Sequence, residues 1–230
     1  MLESHMTALP PQRWVGHDYA DDPEVWTPEV MAGETQYWLG NAILVGGVYE
    51  PGNTIARMYL PTSGPDDPGY LNLNAPHHYL TAGQWVDIQS EWNESVPLLA
   101  RVGEAIAVGK NLQTRSTGDH RFPSPNSVED DYRAVELFPP RGPSGKEYSY
   151  VWYEDDGISS KLNASTFTLH WSSTEEVVEV RLEKVGSYVP IWKDLEIILP
   201  VGDKRKVVKV NGTLCEKVQD SRGRAVFKIA

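Results

Sequence analysis

The spacing of apolar residues changes near Gly40. Before this point, Pro23–Leu39 carries apolar residues at helical spacing, and Pro28 suits the first turn of a helix. The residues that would share one apolar face are Val30, Met31, Tyr37 and Trp38. Gly40 would then serve as the C-cap. The pattern therefore predicts a helical lead-in that ends at Gly40.

After Gly40 the chain consists of short apolar or alternating runs, each bounded by Gly, Pro, Asn or Asp. Such runs are typical of strands in a sandwich or barrel. The first predicted strands are Ala42–Val48, Thr54–Leu60, Tyr70–Leu73, Trp85–Ile88, Val96–Ala100 and Ala105–Val108. The later ones are Tyr132–Phe138, Tyr148–Tyr153, Thr166–Trp171, Val177–Val185, Leu195–Leu199, Val207–Val210 and Ala225–Ile229. The sequence predicts an all-β fold with two tandem β-sandwich domains after a short helical segment.

Two local patterns in the second half support this interpretation. In residues 178–183, Val or Leu alternates with Glu or Arg, which predicts a strand with one buried face and one solvated face. Asn211-Gly212 is a typical two-residue turn of a β-hairpin.

Composition indicates the domain boundaries. Residues 1–6 end in Ser-His-Met, a common cloning remnant, and are set aside. Residues 110–131 are polar and rich in Pro, Ser and Gly, as linkers and long surface loops are. The predicted order is a lead-in at 7–40, a proximal sandwich at 41–109, a linker or loop at 110–131, and a distal sandwich at 132–230.

Charge and cysteine content exclude several classes of function. The 230-residue chain has a net charge of −11, and its densest basic run, residues 204–206, is too short to bind a nucleic acid duplex. No apolar run approaches the roughly 20 residues that span a bilayer. The single cysteine, Cys215, excludes an internal disulfide framework and has no basic neighbour that would activate it. We expect neither a nucleic acid nor a membrane partner.

The cellular location stays open. Three Asn-x-Ser/Thr triplets, at Asn93, Asn163 and Asn211, fit the pattern of glycosylation acceptors and lean toward a secretory origin.

Four segments, taken together, resemble the C-terminal region of glycoside hydrolase family 31. Residues 22–52, with Gln-Tyr-Trp-Leu-Gly before an apolar strand, resemble the end of the catalytic barrel and the start of the first sandwich. Residues 56–63 resemble the strand that ends in Tyr-Leu-Pro, and residues 96–109 resemble a Pro-x-x-x-Arg-x-Gly stretch. Tyr-Glu-Asp-Asp-Gly at 153–157 resembles a signature of the distal domain.

The resemblance implies an accessory role. In this family the nucleophile and the acid/base are aspartates of the barrel, upstream of such a region, so no catalytic residue is expected in this chain. Residues 7–40 would be the end-of-barrel segment. The expected partners are the catalytic barrel, in the same or a separate chain, and an α-linked glucoside or related carbohydrate. No cofactor is implied.

Tyr-Glu-Asp-Asp-Gly is the most acidic candidate site. Paired carboxylates for catalysis are one interpretation, and a calcium loop with help from residues 129–131 is another. Neighbouring strand residues point to opposite faces, so Asp155 and Asp156 cannot easily share one substrate. We expect instead a structural turn at Asp155, Asp156 and Gly157, since Asp and Gly both tolerate tight turns.

Aromatic residues are the strongest binding signal. The candidate carbohydrate contacts are Trp85, Trp92, Trp152 and Trp171, with Trp192 as a further one. Packing in the core is the alternative for each ring. His77-His78 is expected in a surface loop, and no metal site is expected.

The alternative functions are a free-standing carbohydrate-binding module and a subunit of a split or nicked glycosidase. Such a module predicts a row of exposed Trp or Tyr on one sheet. An accessory region predicts a broad exposed apolar face around residues 28–39 and 43–48.

Overall fold

The fold is mostly β, which confirms the predicted class. In this computed structural model the described residues are 4, 7–91, 96–109, 131–155, 163–219 and 223–229. The chain forms two compact units. The first comprises Met1–Glu104, Phe138–Arg141 and Pro200–Asp203, and the second comprises Ala105–Leu137, Gly142–Leu199 and Lys204–Ala230. Among the helices of these described ranges, none has the length and apolarity needed to cross a bilayer.

The first unit contains eight described strands in two sheets. They are β1 (Gln12–Arg13), β2 (Gln36–Leu39), β3 (Ile43–Gly46), β4 (Ile55–Leu60), β5 (Tyr70–Asn72), β6 (His78–Leu80), β7 (Gln84–Gln89) and β8 (Leu98–Arg101). One sheet has the order β1-β2-β3-β8-β5-β6, and β4 pairs with β7 in the other. Side chains of both sheets and of the lead-in form one core, which includes Val25, Leu44, Met58 and Leu99.

The predicted helix over Pro23–Leu39 is largely wrong. Only a 3₁₀ turn, Pro23–Trp26, and one short helix, α1 (Pro28–Met31), form there. Gln36–Leu39 is instead β2, which pairs with β3. Two glycines with positive φ explain the difference, because Gly33 (φ 65°) follows the helix and Gly40 (φ 61°) lies between the paired strands rather than capping a helix. Aromatic residues also favour the paired strand over a helix.

The second unit contains the other ten strands that the structure describes. They are β9 (Ala105–Val108), β10 (Tyr132–Leu137), β11 (Tyr148–Asp155), β12 (Ala164–Ser173), β13 (Val177–Gly186), β14 (Asp194–Leu199), β15 (Val207–Val210), β16 (Thr213–Leu214), β17 (Glu216–Gln219) and β18 (Ala225–Lys228). They form two five-stranded sheets, β17-β18-β14-β10-β9 and β11-β12-β13-β15-β16. Inner side chains of both sheets share one core, as in a β-sandwich.

Several strand predictions for this unit are confirmed. Val178 and Val180 are buried while Glu179 and Arg181 are exposed, as the alternating pattern required. Asn211 and Gly212 both have positive φ, 49° and 81°, and join the paired strands β15 and β16. Strand β9, the last run assigned to the proximal sandwich, pairs with β10 of the second unit. Most of the predicted linker 110–131 lies outside the described residues.

Gly69 offers a sharp test of backbone packing in the first unit. Its φ is +79°, and a Cβ atom there would lie 2.3 Å from the backbone oxygen of Leu80. We expect Gly69→Ala to lower the free energy of unfolding by more than about 2 kcal/mol, since conformational strain and a backbone clash add. Gly52 is the matched control, because its φ is +82° and nothing lies within 4 Å of the added Cβ. Gly52→Ala should lower the free energy of unfolding by only about 1 kcal/mol. Urea denaturation measures both losses. Equal losses for the two variants would contradict the clash.

Candidate functional site

A buried carboxylate, Asp22, holds the lead-in against strand β4 of the first unit. Asp22 is 4% exposed, and it caps the 3₁₀ turn by accepting a hydrogen bond from the backbone N–H of Glu24 at 3.0 Å. The Tyr59 hydroxyl lies 2.9 and 2.7 Å from its two oxygens, and the backbone N–H of Thr62 donates at 2.9 Å. Tyr59 belongs to β4, so one side chain holds the lead-in against this strand and the residues that follow it.

Gln36 makes a second connection to the same strand. Its Nε2 donates to the Tyr59 carbonyl at 2.8 Å, and its Oε1 accepts from the Tyr59 N–H at 2.6 Å. A buried amide side chain thus satisfies both backbone groups of one strand residue, which would otherwise be costly to bury. The indole of Trp38 donates to the carbonyl of Val15 at 2.9 Å. These bonds order residues 15–38 against the sandwich.

Burial also raises the pKa of the tyrosine hydroxyls in this region. Burial, the hydrogen bond to Asp22 and the Asp22 charge raise the pKa of Tyr59, so its hydroxyl remains a donor at neutral pH. Burial raises the pKa of Tyr19 to about 12, against the opposing effect of Arg101, whose guanidinium lies 5.0 Å from the ring centroid. The Tyr70 hydroxyl donates to the Pro61 carbonyl at 2.6 Å. None of these groups is poised for proton transfer near pH 7.

Glu104 is an acid whose burial opposes its ionisation. Burial raises its pKa, Arg101 lowers it, and Asp18 raises it further, with a net increase. Because the folded protein holds this proton more tightly than the unfolded chain, the ionised carboxylate lowers stability once the pH passes above the unfolded pKa.

We therefore expect Glu104→Gln to stabilise the protein near pH 7. The gain should shrink as the pH falls and vanish below about pH 4, where glutamate is protonated in both states. Melting temperatures of both proteins across this range provide the measurement. A Glu104→Gln variant that is less stable than the wild type at pH 7 would show that the contact with Arg101 outweighs the burial.

Trp85 is a half-buried ring on β7. Its Nε1 donates to Glu24 Oε1 at 2.8 Å, so this indole also helps to hold the lead-in. The guanidinium of Arg57 lies 4.8 Å from the ring centroid, and the Tyr59 ring packs beside it at 5.5 Å. A sugar that stacks on this ring would have to displace Arg57 or use another surface of it. Trp92 lies outside the described residues, so its contact with carbohydrate stays a prediction, as does that of Trp85.

Trp152 and Trp171 lie in the core of the second unit, at 5% and 1% exposure. Trp152 stacks between Tyr150 and Phe167, with ring centroids 5.9 and 5.0 Å away. Trp171 stacks on Tyr148 at 4.6 Å. Trp192 is half-buried beside Phe167. For Trp152 and Trp171 the geometry favours core packing, because other side chains cover these rings.

The acidic stretch at 153–157 contains a structural carboxylate. Glu154 is 8% exposed, and its two oxygens accept from Arg133 Nε at 2.6 Å and Nη2 at 3.0 Å. The indole of Trp152 donates to the same carboxylate at 3.1 Å. This paired geometry satisfies and neutralises Glu154, which leaves it unsuited to act as a free base.

The predicted turn is only partly described. Asp155 ends strand β11 and pairs with Ala164 of β12. Asp156 and Gly157 lie outside the described residues, so the turn stays a prediction. Among the residues that the structure describes, no group of three or more His, Cys, Asp or Glu could hold a metal ion. Burial raises the pKa of Cys215, as expected of an unactivated thiol.

The residues that fix the lead-in were not predicted as functional. Asp22 before Pro23 has the sequence of an N-cap followed by proline at the first helical position, a recognisable signal. Gln36 precedes the Tyr-Trp-Leu-Gly motif, but its sequence does not indicate a bond to Tyr59. Arg133 carries no sequence signal that pairs it with Glu154.

Comparisons with known proteins match the region in which the sequence motifs lie. Residues 8–106 match the family model described as the glycosyl hydrolase family 31 C-terminal domain. No curated protein sequence matches the chain. A dextranase of family 31 from Flavobacterium johnsoniae, solved with isomaltotriose, is 19% identical with a TM-score of 0.73. This chain is covered over 99% of its length and spans 28% of the dextranase.

Two further structures share the fold. The family 31 α-xylosidase of Xanthomonas citri is 21% identical with a TM-score of 0.65, over 89% of this chain and 20% of the xylosidase. The α-1,4-glucan lyase of Gracilariopsis lemaneiformis is 13% identical with a TM-score of 0.62, over 97% of this chain and 21% of the lyase. The chain therefore spans well under a third of each of these proteins. Residues 8–106 are therefore similar to the C-terminal domain of glycosyl hydrolase family 31, as their motifs indicated.

Proposed function

We propose that this chain is the C-terminal accessory region of a family 31 α-glycosidase that hydrolyses α-glucosides with retention. The family match over residues 8–106, which include nearly all of the lead-in and most of the first unit, carries this proposal. The catalytic barrel, in the same or a separate chain, would supply the two carboxylates that flank the scissile bond. The related structures include a dextranase, an α-xylosidase and a glucan lyase, so the proposal extends to α-linked glucosides or related carbohydrates as a class.

Exposed apolar side chains on the lead-in and just after β3 support an accessory role. Trp26, Met31 and Leu39 are 50%, 53% and 46% exposed, and Tyr49 is 59% exposed. Where such side chains form a contiguous patch, the patch is typical of a surface that contacts another protein. The expected face around residues 43–48 is different, because Ile43, Leu44 and Val45 are buried. The surface that would meet the barrel is therefore proposed on the lead-in.

The buried carboxylates of the described residues support the placement of catalysis elsewhere. Asp22 is held by Tyr59 and backbone amides, and Glu154 by Arg133 and Trp152. A retaining glycosidase instead needs two carboxylates about 5 Å apart and open to substrate. Carboxylates that are enclosed and paired in this way stabilise the fold and do not reach a sugar.

A carbohydrate-binding module is the second candidate function, and the geometry favours it less than the accessory role. Such a module needs exposed aromatic rings, while Trp152 and Trp171 are buried and Arg57 lies over Trp85. Trp85 and Trp92 are the candidate contacts that this second function would use.

We expect the isolated chain to have no glycosidase activity. The measurement is release of p-nitrophenol from p-nitrophenyl α-glucoside by the chain alone and with the upstream half of the enzyme added. Activity is expected only in the presence of the upstream half. Turnover by the chain alone that disappears in Asp155→Asn or Asp156→Asn would overturn the assignment. Retained binding of an α-glucan by the inactive chain, lost in Trp85→Ala, would favour the binding module.

A further inference from the structure

Four buried polar atoms of the second unit lack a hydrogen-bond partner among the residues that the structure describes. One is Trp192 Nε1, in the segment between β13 and β14. The other three are the Tyr148 hydroxyl, the Trp171 Nε1 and the Ser173 hydroxyl, on the paired strands β11 and β12. Trp171 and Ser173 are only 1% and 5% exposed. Most other buried polar side chains of this unit have partners, such as Glu154 with Arg133 and Ser165 with the Tyr188 carbonyl. The three atoms are therefore an exception that needs a physical reason.

The three side chains lie at one end of the sheet β11-β12-β13. Tyr148, the first residue of β11, is paired directly with Trp171 of β12, and their rings stack at 4.6 Å. Ser173 is two residues further along β12, so it points to the same face, about 7 Å away along the strand. Beside it, the buried Arg205 donates from Nε to the Thr174 carbonyl at 2.8 Å. Polar groups thus gather at this end of the sheet.

The chemistry of the three atoms is complementary to one small solute. The indole N–H only donates, whereas each hydroxyl can both donate and accept. A water molecule could accept from Trp171 Nε1 and from one hydroxyl while donating to the other. That would give it three bonds, the usual number for a buried water. Leaving all three atoms dry would be costly, because each unpaired buried polar group destabilises the fold.

We propose that Tyr148, Trp171 and Ser173 form an internal binding site for an ordered water molecule at this end of the second unit. The water links the ends of β11 and β12 through side chains, in addition to their backbone ladder. The inference is independent of the proposed glycosidase role, since it rests on the core of the second unit alone.

Removing single hydroxyls tests the site, because a wet and a dry site predict opposite signs. If a water is bound, Tyr148→Phe and Ser173→Ala each remove one of its partners, and each lowers the Tm. If the site is dry, each variant removes an unpaired buried polar atom, and the Tm stays unchanged or rises. Tyr150→Phe is the matched control on the same strand, because the Tyr150 hydroxyl accepts a direct bond from the Ala107 N–H at 2.9 Å. We expect Tyr148→Phe to lower the Tm by an amount comparable to that of Tyr150→Phe.

The double variant Tyr148→Phe with Ser173→Ala tests whether the two hydroxyls share one solute. Shared binding predicts a combined loss of Tm that differs from the sum of the single losses, whereas independent sites add. A high-resolution crystal structure of the wild-type chain provides the direct readout. We expect a solvent peak within about 3.2 Å of Trp171 Nε1 and of at least one of the two hydroxyls. An empty map at this position, or a Tm that stays unchanged or rises in either single variant, would overturn the proposal.

Discussion

Asp22→Ala is expected to lower the free energy of unfolding of the first unit by about 4 kcal/mol. The variant leaves the Tyr59 hydroxyl and the Thr62 N–H, both donors to Asp22, without their acceptor. Each such buried group costs about 1–3 kcal/mol when unpaired, and the capping bond to Glu24 is lost as well. Urea denaturation followed by tryptophan fluorescence measures the loss, since Trp14, Trp26, Trp38 and Trp85 belong to this unit.

Asp21 provides the matched control for this experiment. It precedes Asp22 directly, carries the same charge and is exposed. Asp21→Ala should therefore change the free energy of unfolding by no more than about 0.5 kcal/mol. Similar losses for the two variants would mean that net charge, rather than the bonds to Tyr59 and Thr62, accounts for the effect.

The Asp22 variant also bears on the accessory role. If the lead-in meets the barrel, loosening it should weaken the recovery of activity when the two halves are mixed. A variant that is destabilised yet restores full activity would place the barrel contact elsewhere.

The strands were largely predictable, because their signal is local. Alternation along residues 178–183 fixed both the strand and its buried face, and Asn211-Gly212 identified the hairpin turn. Strands of two to four polar or mixed residues, such as β1, β6 and β17, escaped prediction. They lack an alternating pattern, and their pairing with a neighbouring strand defines them.

The wrong prediction of a helix over residues 23–39 has a different origin. Residues 36–39 have apolar side chains at positions that suit both a helix and a strand, and so short a run does not separate the two periods. Pairing with β3 decided in favour of the strand, and Gly40 served the turn. Tertiary pairing therefore overrode a local preference that the sequence alone expressed weakly.

The site residues were less predictable than the fold. The clustering of acidic residues 154–156 marked them as a candidate site. The side chain that pairs with Glu154 belongs to Arg133, which lies 21 positions away in the sequence. The bond between Gln36 and Tyr59 spans 23 positions. Contacts over such separations depend on how strands pack, and a single sequence carries no direct record of them. Tryptophans were ambiguous for a similar reason, since burial depends on the opposite sheet.

Glu154→Ala is expected to lower the free energy of unfolding of the second unit by about 3–5 kcal/mol, the usual cost of breaking a buried ion pair. The side chains of Glu154 and Arg133 are only 10% and 13% exposed, so removal of the carboxylate leaves a guanidinium in a largely dry environment. The Trp152 indole also loses its acceptor. Urea denaturation of the variant and the wild type provides the measurement.

Glu183 supplies the control, because it pairs with Arg181 in the same sheet while its side chain is 49% exposed. Glu183→Ala should cost less than about 1 kcal/mol, since water solvates both charges. The calcium interpretation of the acidic stretch makes a separate prediction, because a cation bound through Asp155 and Asp156 would raise the Tm of the wild type and leave that of Asp156→Asn unchanged. We expect added calcium and a chelator to leave both melting curves unchanged. Unchanged curves would mean that the loss of stability in Glu154→Ala comes from the buried pair with Arg133 and not from a bound cation.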